Sequence, residues 1–228
     1  MNNNIPNASN FIGTQTFSNG EFESLLGCCV GIYNEFIGNN LRCDGEEEKI
    51  RDVFFDKLND DVYRENHPIL QYYHFEKEPQ ENTGFLDIKV KTLNPYGSTK
   101  AYYCIECKKL GVDNKGYTTG LNIEYVKDGI CRFVNDYYSS YFGRNVMFGF
   151  LVNKVCVQTE IIDSINSKLN KDYINTQGVT VNANGKTGLQ YVDFAEGYPY
   201  SFVSTHTHIT GSELVLYHLM FDFSNNII

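Results

Sequence analysis

"AYYCIECKKL", residues 101–110, carries two patterns that compete for one segment. Cys104-x-x-Cys107 has a spacing used for zinc and for thiol redox chemistry. Glu106-Cys107-Lys108 is an acid-x-lysine. Tyr, Ile and Cys make the segment read as a strand, and side chains alternate between faces along a strand. Cys104 and Cys107, three apart, therefore point to opposite faces and cannot chelate one ion. Cys131 is alone, no second CxxC or HxxxH supplies further ligands, and the pair does not open a helix as a thioredoxin-type motif requires. Alternation instead joins Glu106 and Lys108 on one face with Cys104, and puts Tyr103, Ile105 and Cys107 on the other.

The preceding segment, "TGFLDIKVKTL" at 83–93, alternates strictly. Leu86, Ile88 and Val90 take one face; Phe85, Asp87, Lys89 and Lys91 take the other. "NPYGS" at 94–98 is a turn, so the two segments form a hairpin that can set Asp87 beside Glu106 and Lys108. Two carboxylates are hard oxygen ligands for Mg²⁺, and Mn²⁺ can substitute. Such an ion polarises a phosphate and lowers the pKa of a bound water, while a lysine orients that water or stabilises developing charge. The carbonyl of Cys107 can complete the ligand shell. The trio thus meets the needs of metal-assisted phosphodiester hydrolysis.

Around this hairpin the chain reads as α-α-β-β-β-α-β-α-β-β. In "EFESLLGCCVGIYNEFI", 21–37, Phe22, Leu25, Leu26, Cys29, Ile32 and Phe36 form one helical stripe. After Asp44-Gly45 a second helix carries Ile50, Val53, Phe54 and Leu58, with acidic residues in its first turn, where the helix dipole favours them. A strand is predicted over 69–78, a helix over 126–141 and a fully covered strand over 146–152. With strand 101–110 the last two make a right-handed βαβ unit. A helix over 159–170, a loop or loose hairpin over 175–188 and two strands, "YSFVSTHTH" and "ELVLYHLMFDF", complete the chain. The expected architecture is one α/β domain, 21–228, with a mixed central sheet flanked by helices and a core at about 46–152. Residues 1–20 are expected to be a flexible tail.

Composition narrows the classes. An apolar fraction of 42% over 228 residues, with 17 Tyr and 16 Phe, supports a sizeable core. No 18-residue apolar run exists, so no membrane span is expected, and "MNNNIPNASN" has no signal-peptide pattern. Seven cysteines without a secretory signal predict reduced, buried thiols and a cytoplasmic protein. A formal net charge of −9 argues against broad phosphate binding, although a carboxylate-built nuclease site can sit beside a locally basic groove.

Asp87, then 18 residues, then Glu106-Cys107-Lys108 resembles the PD-(D/E)XK nuclease superfamily, the restriction-endonuclease-like fold. The order over 46–152, helix, strand, strand with Asp87, strand with Glu106, helix, strand, is similar to that family's αβββαβ core. Leu86 stands where the family often has proline. The resemblance covers about half of the chain and implies a Mg²⁺-dependent endonuclease acting on nucleic acid, DNA first. Asp87, Glu106 and the Cys107 carbonyl would hold the metal, and Lys108 would act on water. A supporting glutamate on the first core helix would be Glu46, Glu47 or Glu48, with Glu47 favoured because it borders the apolar stripe. Segment 125–153 and the ending "SFVSTHTHITGSELVLYHLMFDF" look like uncharacterised bacterial members, which implies a defence role.

Each candidate has an ordinary alternative. Asp87, Lys89, Glu106 and Lys108 suit a solvated face with cross-strand ion pairs. Arg132 and Lys127 are phosphate contacts or, for Arg132, an i,i+4 partner of Asp128. His206 and His208, two apart on a strand, are a nucleic-acid contact, a metal pair or a hydrogen-bonded strand face. Phe133, Tyr137, Tyr138 and Tyr141 are core. The alternative functions are a catalytically inactive module of the same fold in a protein complex, and a ribonuclease using the same residues. A homodimer or a protein partner is compatible with both.

Overall fold

The hairpin expected around Asp87 and Glu106 lies within a seven-stranded mixed sheet in the computed structural model. The structure describes residues 12–81, 84–93, 102–112, 120–135, 138, 144–195 and 197–228. The strands are β1 (Tyr73–Lys77), β2 (Ile88–Thr92), β3 (Tyr102–Leu110), β4 (Arg144–Leu151), β5 (Gln190–Tyr191), β6 (Ser201–Thr207) and β7 (Glu213–Asp222), in spatial order β1-β2-β3-β4-β7-β6-β5. β3, β4 and β7 run parallel to one another, and the remaining pairs are antiparallel. Two-residue ladders, Gln80–Glu81 with Gly84–Phe85 and Tyr173–Ile174 with Thr180–Val181, lie off this sheet.

Helices cover both faces. Those on one side are α1 (Ile12–Gly38) and α2 (Glu47–Leu58), whose Phe22, Leu25, Leu26, Ile50 and Phe54 pack on Tyr103, Ile105, Cys107, Phe148, Phe150 and Phe221. A short α3 (Asp61–Asn66) follows, capped by the Asp60 carboxylate on the Tyr63 N–H. The other side carries α4, residues 121–134, and α5, residues 157–166. Their Val126, Ile130, Ile161 and Ile165 pack on Cys104, Leu110, Met147, Leu151, Leu216 and Met220. Alternate residues of β3, β4 and β7 thus feed two separate cores, which is why these strands read as continuous apolar runs. Cys104 lies in one core and Cys107 in the other, and all seven cysteines are free.

Both α4 and α5 contain a π segment, Tyr125–Ile130 and Val157–Ile162. Gly129 in the first is required by packing. A Cβ there would run into the Met147 methyl and sit 3.5 Å from Lys108 Cγ. Its absence lets α4 settle onto the Lys108 stem. Among the described residues, no helix is long and apolar enough to cross a membrane.

Several boundaries differ from the sequence reading. α1 begins at Ile12, so residues 12–20 are helical rather than tail. Residues Pro68–Tyr72 form a 3₁₀ turn, and the first strand starts only at Tyr73, because Pro68 supplies a helical φ at the first position. Asp87 immediately precedes β2 instead of lying within it. α4 starts at residue 121, earlier than the apolar stripe suggests, since its buried Asn122 is held by the Glu160 carbonyl (3.0 Å) and the Ser164 hydroxyl (3.2 Å). It ends at Val134 rather than 141, and α5 spans 157–166 rather than 159–170. The turn at 94–98, Tyr137 and Tyr141 lie outside the described residues.

Candidate active site

β2 stops at Ile88, opposite Ile105, whereas β3 continues to Leu110. Residues 106–110 therefore pair with β4 on one side and leave a bare edge on the other. Unpaired backbone groups inside a protein must find partners. Two carboxylates supply them: Asp87 Oδ2 accepts from the Cys107 N–H at 2.7 Å, and Glu47 Oε2 from the Lys109 N–H at 2.8 Å. Glu47 comes from the first turn of α2, where the helix dipole stabilises a negative charge.

The β2–β3 ladder ends with Ile88 opposite Ile105, and Asp87, just outside it, is close enough for its charge to act on Glu106. Glu106 is fully buried on the α4 side of the sheet. Its Oε1 accepts from Arg132 Nη1 at 2.8 Å and lies 3.1 Å from Lys108 Nζ; its Oε2 accepts from the Tyr138 hydroxyl at 2.8 Å. Tyr138 in turn accepts from Arg132 Nη1 at 2.8 Å. Lys108 Nζ reaches round the bare edge to the Cys107 carbonyl (2.7 Å) and Glu47 Oε1 (3.0 Å). Three oxygens, from Glu47, Glu106 and a main-chain carbonyl, thus meet one ammonium.

Behind Asp87 stands Arg51, 4% exposed, bonded to Asp52 (3.0 Å), Glu78 (2.8 Å) and Asp87 Oδ1 (3.2 Å). It fixes the carboxylate that holds the strand edge. Arg51 answers Asp87 together with Asp52 and Glu78, whereas Lys108 answers Glu47 and Glu106, and Arg132 answers Glu106.

Burial pushes the Glu106 carboxyl up to about 7, against the pull of Lys108 and Arg132, with the Asp87 charge adding to the rise. Burial acts the other way on Lys108, but Glu106, Asp87 and Glu47 outweigh it and hold the ammonium above its ordinary value. Lys108 therefore stays charged at neutral pH, donating hydrogen bonds rather than exchanging a proton. Burial thus brings Glu106 to where it can exchange a proton near pH 7.

The structure brings together Glu47, Asp87, Glu106, Cys107, Lys108 and Arg132. Of the three adjacent glutamates, Glu47 faces the cluster, Glu46 makes an exposed pair with Lys109 (3.0 Å), and Glu48 is exposed. Arg132 binds Glu106 rather than Asp128, which instead pairs with Lys127 at 3.0 Å. Among the described residues, no group of three or more His, Cys, Asp or Glu side chains forms a metal site. The oxygens around Lys108 come from two side chains and one carbonyl.

His206 and His208 do not join this cluster. His206 is fully buried on β6, and its Nδ1 faces the Ala183 carbonyl at 2.7 Å. A carbonyl only accepts, so Nδ1 carries the proton and Nε2 accepts from Ser204 Oγ (2.7 Å). Ser204 then accepts from His218 Nε2 (2.7 Å), and His218 Nδ1 accepts from the Tyr125 hydroxyl (2.8 Å). The result is a one-way chain, Tyr125 to His218 to Ser204 to His206 to Ala183, sealed inside the fold. A nucleic-acid contact for His206 is thereby corrected. His208 is 7% exposed and its Nδ1 accepts from the Thr210 N–H (3.2 Å), which makes it a turn-forming residue.

Sequence reasoning missed Arg51, the Tyr138 hydroxyl and the His218 chain. Arg51 follows Ile50 directly, inside the apolar turn of α2, and a cation at such a position is a usable signal. Compared with protein-family models, curated proteins and solved structures, the chain matches none.

Proposed function

We propose that the chain is a nuclease that hydrolyses phosphodiester bonds, in DNA first, at the bare edge of β3. One observation carries the reading. The Glu47 and Glu106 carboxylates and the Cys107 carbonyl converge within 3.1 Å of a single cationic group, Lys108 Nζ. Hard oxygens of this kind are the donor set of Mg²⁺ or Mn²⁺, so the residues present fit such an ion by chemistry. Glu106, Glu47 and the Cys107 carbonyl would hold it, with Asp87 alongside. When bound, the ion polarises a phosphate and makes its water a better nucleophile. Lys108, which would yield these oxygens to the ion, would then donate to a phosphate oxygen or orient the water. Arg132 and Tyr138 keep Glu106 in place. The αβββαβ order around Asp87 and Glu106-Cys107-Lys108, similar to the PD-(D/E)XK superfamily, supports the same reading.

Cleavage of plasmid and single-stranded DNA in Mg²⁺ tests it. Wild-type activity that disappears in Lys108→Ala, with the thermal melt kept, is the expected result; unchanged Mg²⁺-dependent cleavage in that variant sinks the mechanism. RNA offered in parallel separates the ribonuclease version.

A second reading is a non-catalytic module of the same fold. Its motivation is that Asp87, Glu47 and Glu106 are each bonded within the protein, as in a purely structural ion network. No Mn²⁺ uptake by calorimetry, together with tight binding to a protein, favours it.

A further inference from the structure

A cavity of ≈ 240 Å³ opens beside the cluster, between α4 and the 173–181 hairpin. Arg132 and Asn135 line its helix side, Gln177 and Val179 the hairpin side, and Ile209 also contributes. Arg132 is the same residue that binds Glu106, so the cavity wall and the cluster share a side chain. Lys127 and Asp128, also in the wall, neutralise each other.

The lining is of two kinds. Val179 and Ile209 line it and are apolar yet 54% and 64% exposed, so hydrophobic surface is available to a guest. Asn135 spends its Nδ2 on the Cys131 carbonyl (2.7 Å) and the Asn182 carbonyl (3.4 Å), so the group it can offer a guest is its amide oxygen, an acceptor. The hairpin tip is preformed, because Asn175 Oδ1 accepts from the Gln177 and Val179 N–H groups at 3.0 and 2.9 Å. A preformed wall costs little ordering on binding. The volume is large enough for one small ring system.

A nucleobase combines an apolar face with a donor–acceptor edge at this size. We propose that the cavity seats one unpaired base of the strand whose phosphate lies at Glu106 and Lys108. This rests on the nuclease reading and adds that the substrate is single-stranded there or has that base extruded.

The test uses the full chain with fluorescent single-stranded oligonucleotides, in EDTA for binding and in Mg²⁺ for cleavage. Val179→Trp fills the cavity, and Gln177→Ala, at an exposed hairpin tip, serves if the first variant fails to fold. Abasic residues are scanned along the oligonucleotide. The inference expects an abasic residue at one position to weaken wild-type binding about tenfold or more, as loss of one base contact does. Val179→Trp binds the intact strand with a similar loss and gains no further loss from that abasic residue. Cleavage that persists in Val179→Trp at the wild-type rate, with no sensitive abasic position, overturns the base seat and leaves the nuclease reading standing. A wild-type chain that neither binds nor cleaves any oligonucleotide overturns both.

Discussion

The sheet carries two polar clusters, and they are built on opposite principles. At the bare edge of β3, Glu47, Asp87 and Glu106 are set against Arg51, Lys108 and Arg132, and the group reaches the surface through the half-buried Arg132 and Glu47. Deeper in the sheet, Tyr125, His218, Ser204 and His206 form a chain of neutral groups in which one carbonyl, that of Ala183, fixes every proton. The first cluster holds charges that another cation or a phosphate can compete for. The second has its donors and acceptors matched end to end and offers nothing to a ligand. Polar residues within one sheet therefore divide by whether their partners are exchangeable, and histidine content is a poor guide to where chemistry lies.

The comparison breaks first at Lys108. Lys108→Ala should lower cleavage by roughly 10²–10³-fold, the usual effect of losing one charge-stabilising donor, with the fold retained. Wild-type turnover in that variant places the edge cluster in the same structural category as the relay.

His218→Leu tests the opposite side. It strands the Tyr125 hydroxyl and disrupts Ser204, at roughly 2–5 kcal/mol for two buried polar groups. That is a drop in Tm of roughly 5–15 °C for a chain of this size. Cleavage at a temperature where the variant stays folded should persist; specific loss of turnover there would make the relay part of the chemistry.

pH separates the clusters next. Burial lowers His206 to about 4, opposed only by its bond to the Ala183 carbonyl, and burial together with the His206 charge lowers His218 well below its ordinary value. Unfolded histidines bind protons below about 6.5, whereas these do not, so the stability they give is present at neutral pH and lost as pH falls from about 6.5 towards 4. Glu106 works the other way: protonated in the fold up to about 7 but ionised when unfolded above about 4.5, it favours the fold on acidification in that window. Melts from pH 7 to 4.5 should show a fall in Tm, two groups against one, and a steeper fall in Glu106→Gln. Cleavage by the wild type should rise with pH as Glu106 gives up its proton to take its place in the site, and Glu106→Gln should flatten that rise.

Lys109→Ala is the smallest change. Its exposed pair with Glu46 contributes at most about 0.5 kcal/mol, and the Lys109 N–H keeps its bond to Glu47. A Tm shift above about 2 °C would mean that the side chain, and not only the backbone, braces the edge.

Much of this contrast was legible in the chain. Alternation along 101–110 was enough to separate Cys104 from Cys107 and to join Glu106 with Lys108. The helical stripes of α1 and α2 and the covered run of β4 were equally plain, since burial on a periodic element leaves a periodic pattern. Arg51 and Tyr138 were hidden for a different reason: each lies in an apolar context, and only its polar tip reaches the cluster.

What the sequence by itself determined is the pairing of side chains within an element: which residues of a strand share a face, and which residues of a helix share a stripe. Only the tertiary structure decided which face is sealed and which edge is bare. His206 and His208 have the same spacing as Glu106 and Lys108, yet a carbonyl from residue 183 closes over His206, while the late start of β2, at Ile88, leaves β3 open beside Lys108. Period-two geometry is local, whereas closure and exposure depend on segments that arrive from elsewhere in the chain. Asp87, Glu47 and Lys108 meet because the backbone of β3 lacks a neighbour for the last part of its length, and the bare N–H groups there draw the carboxylates in.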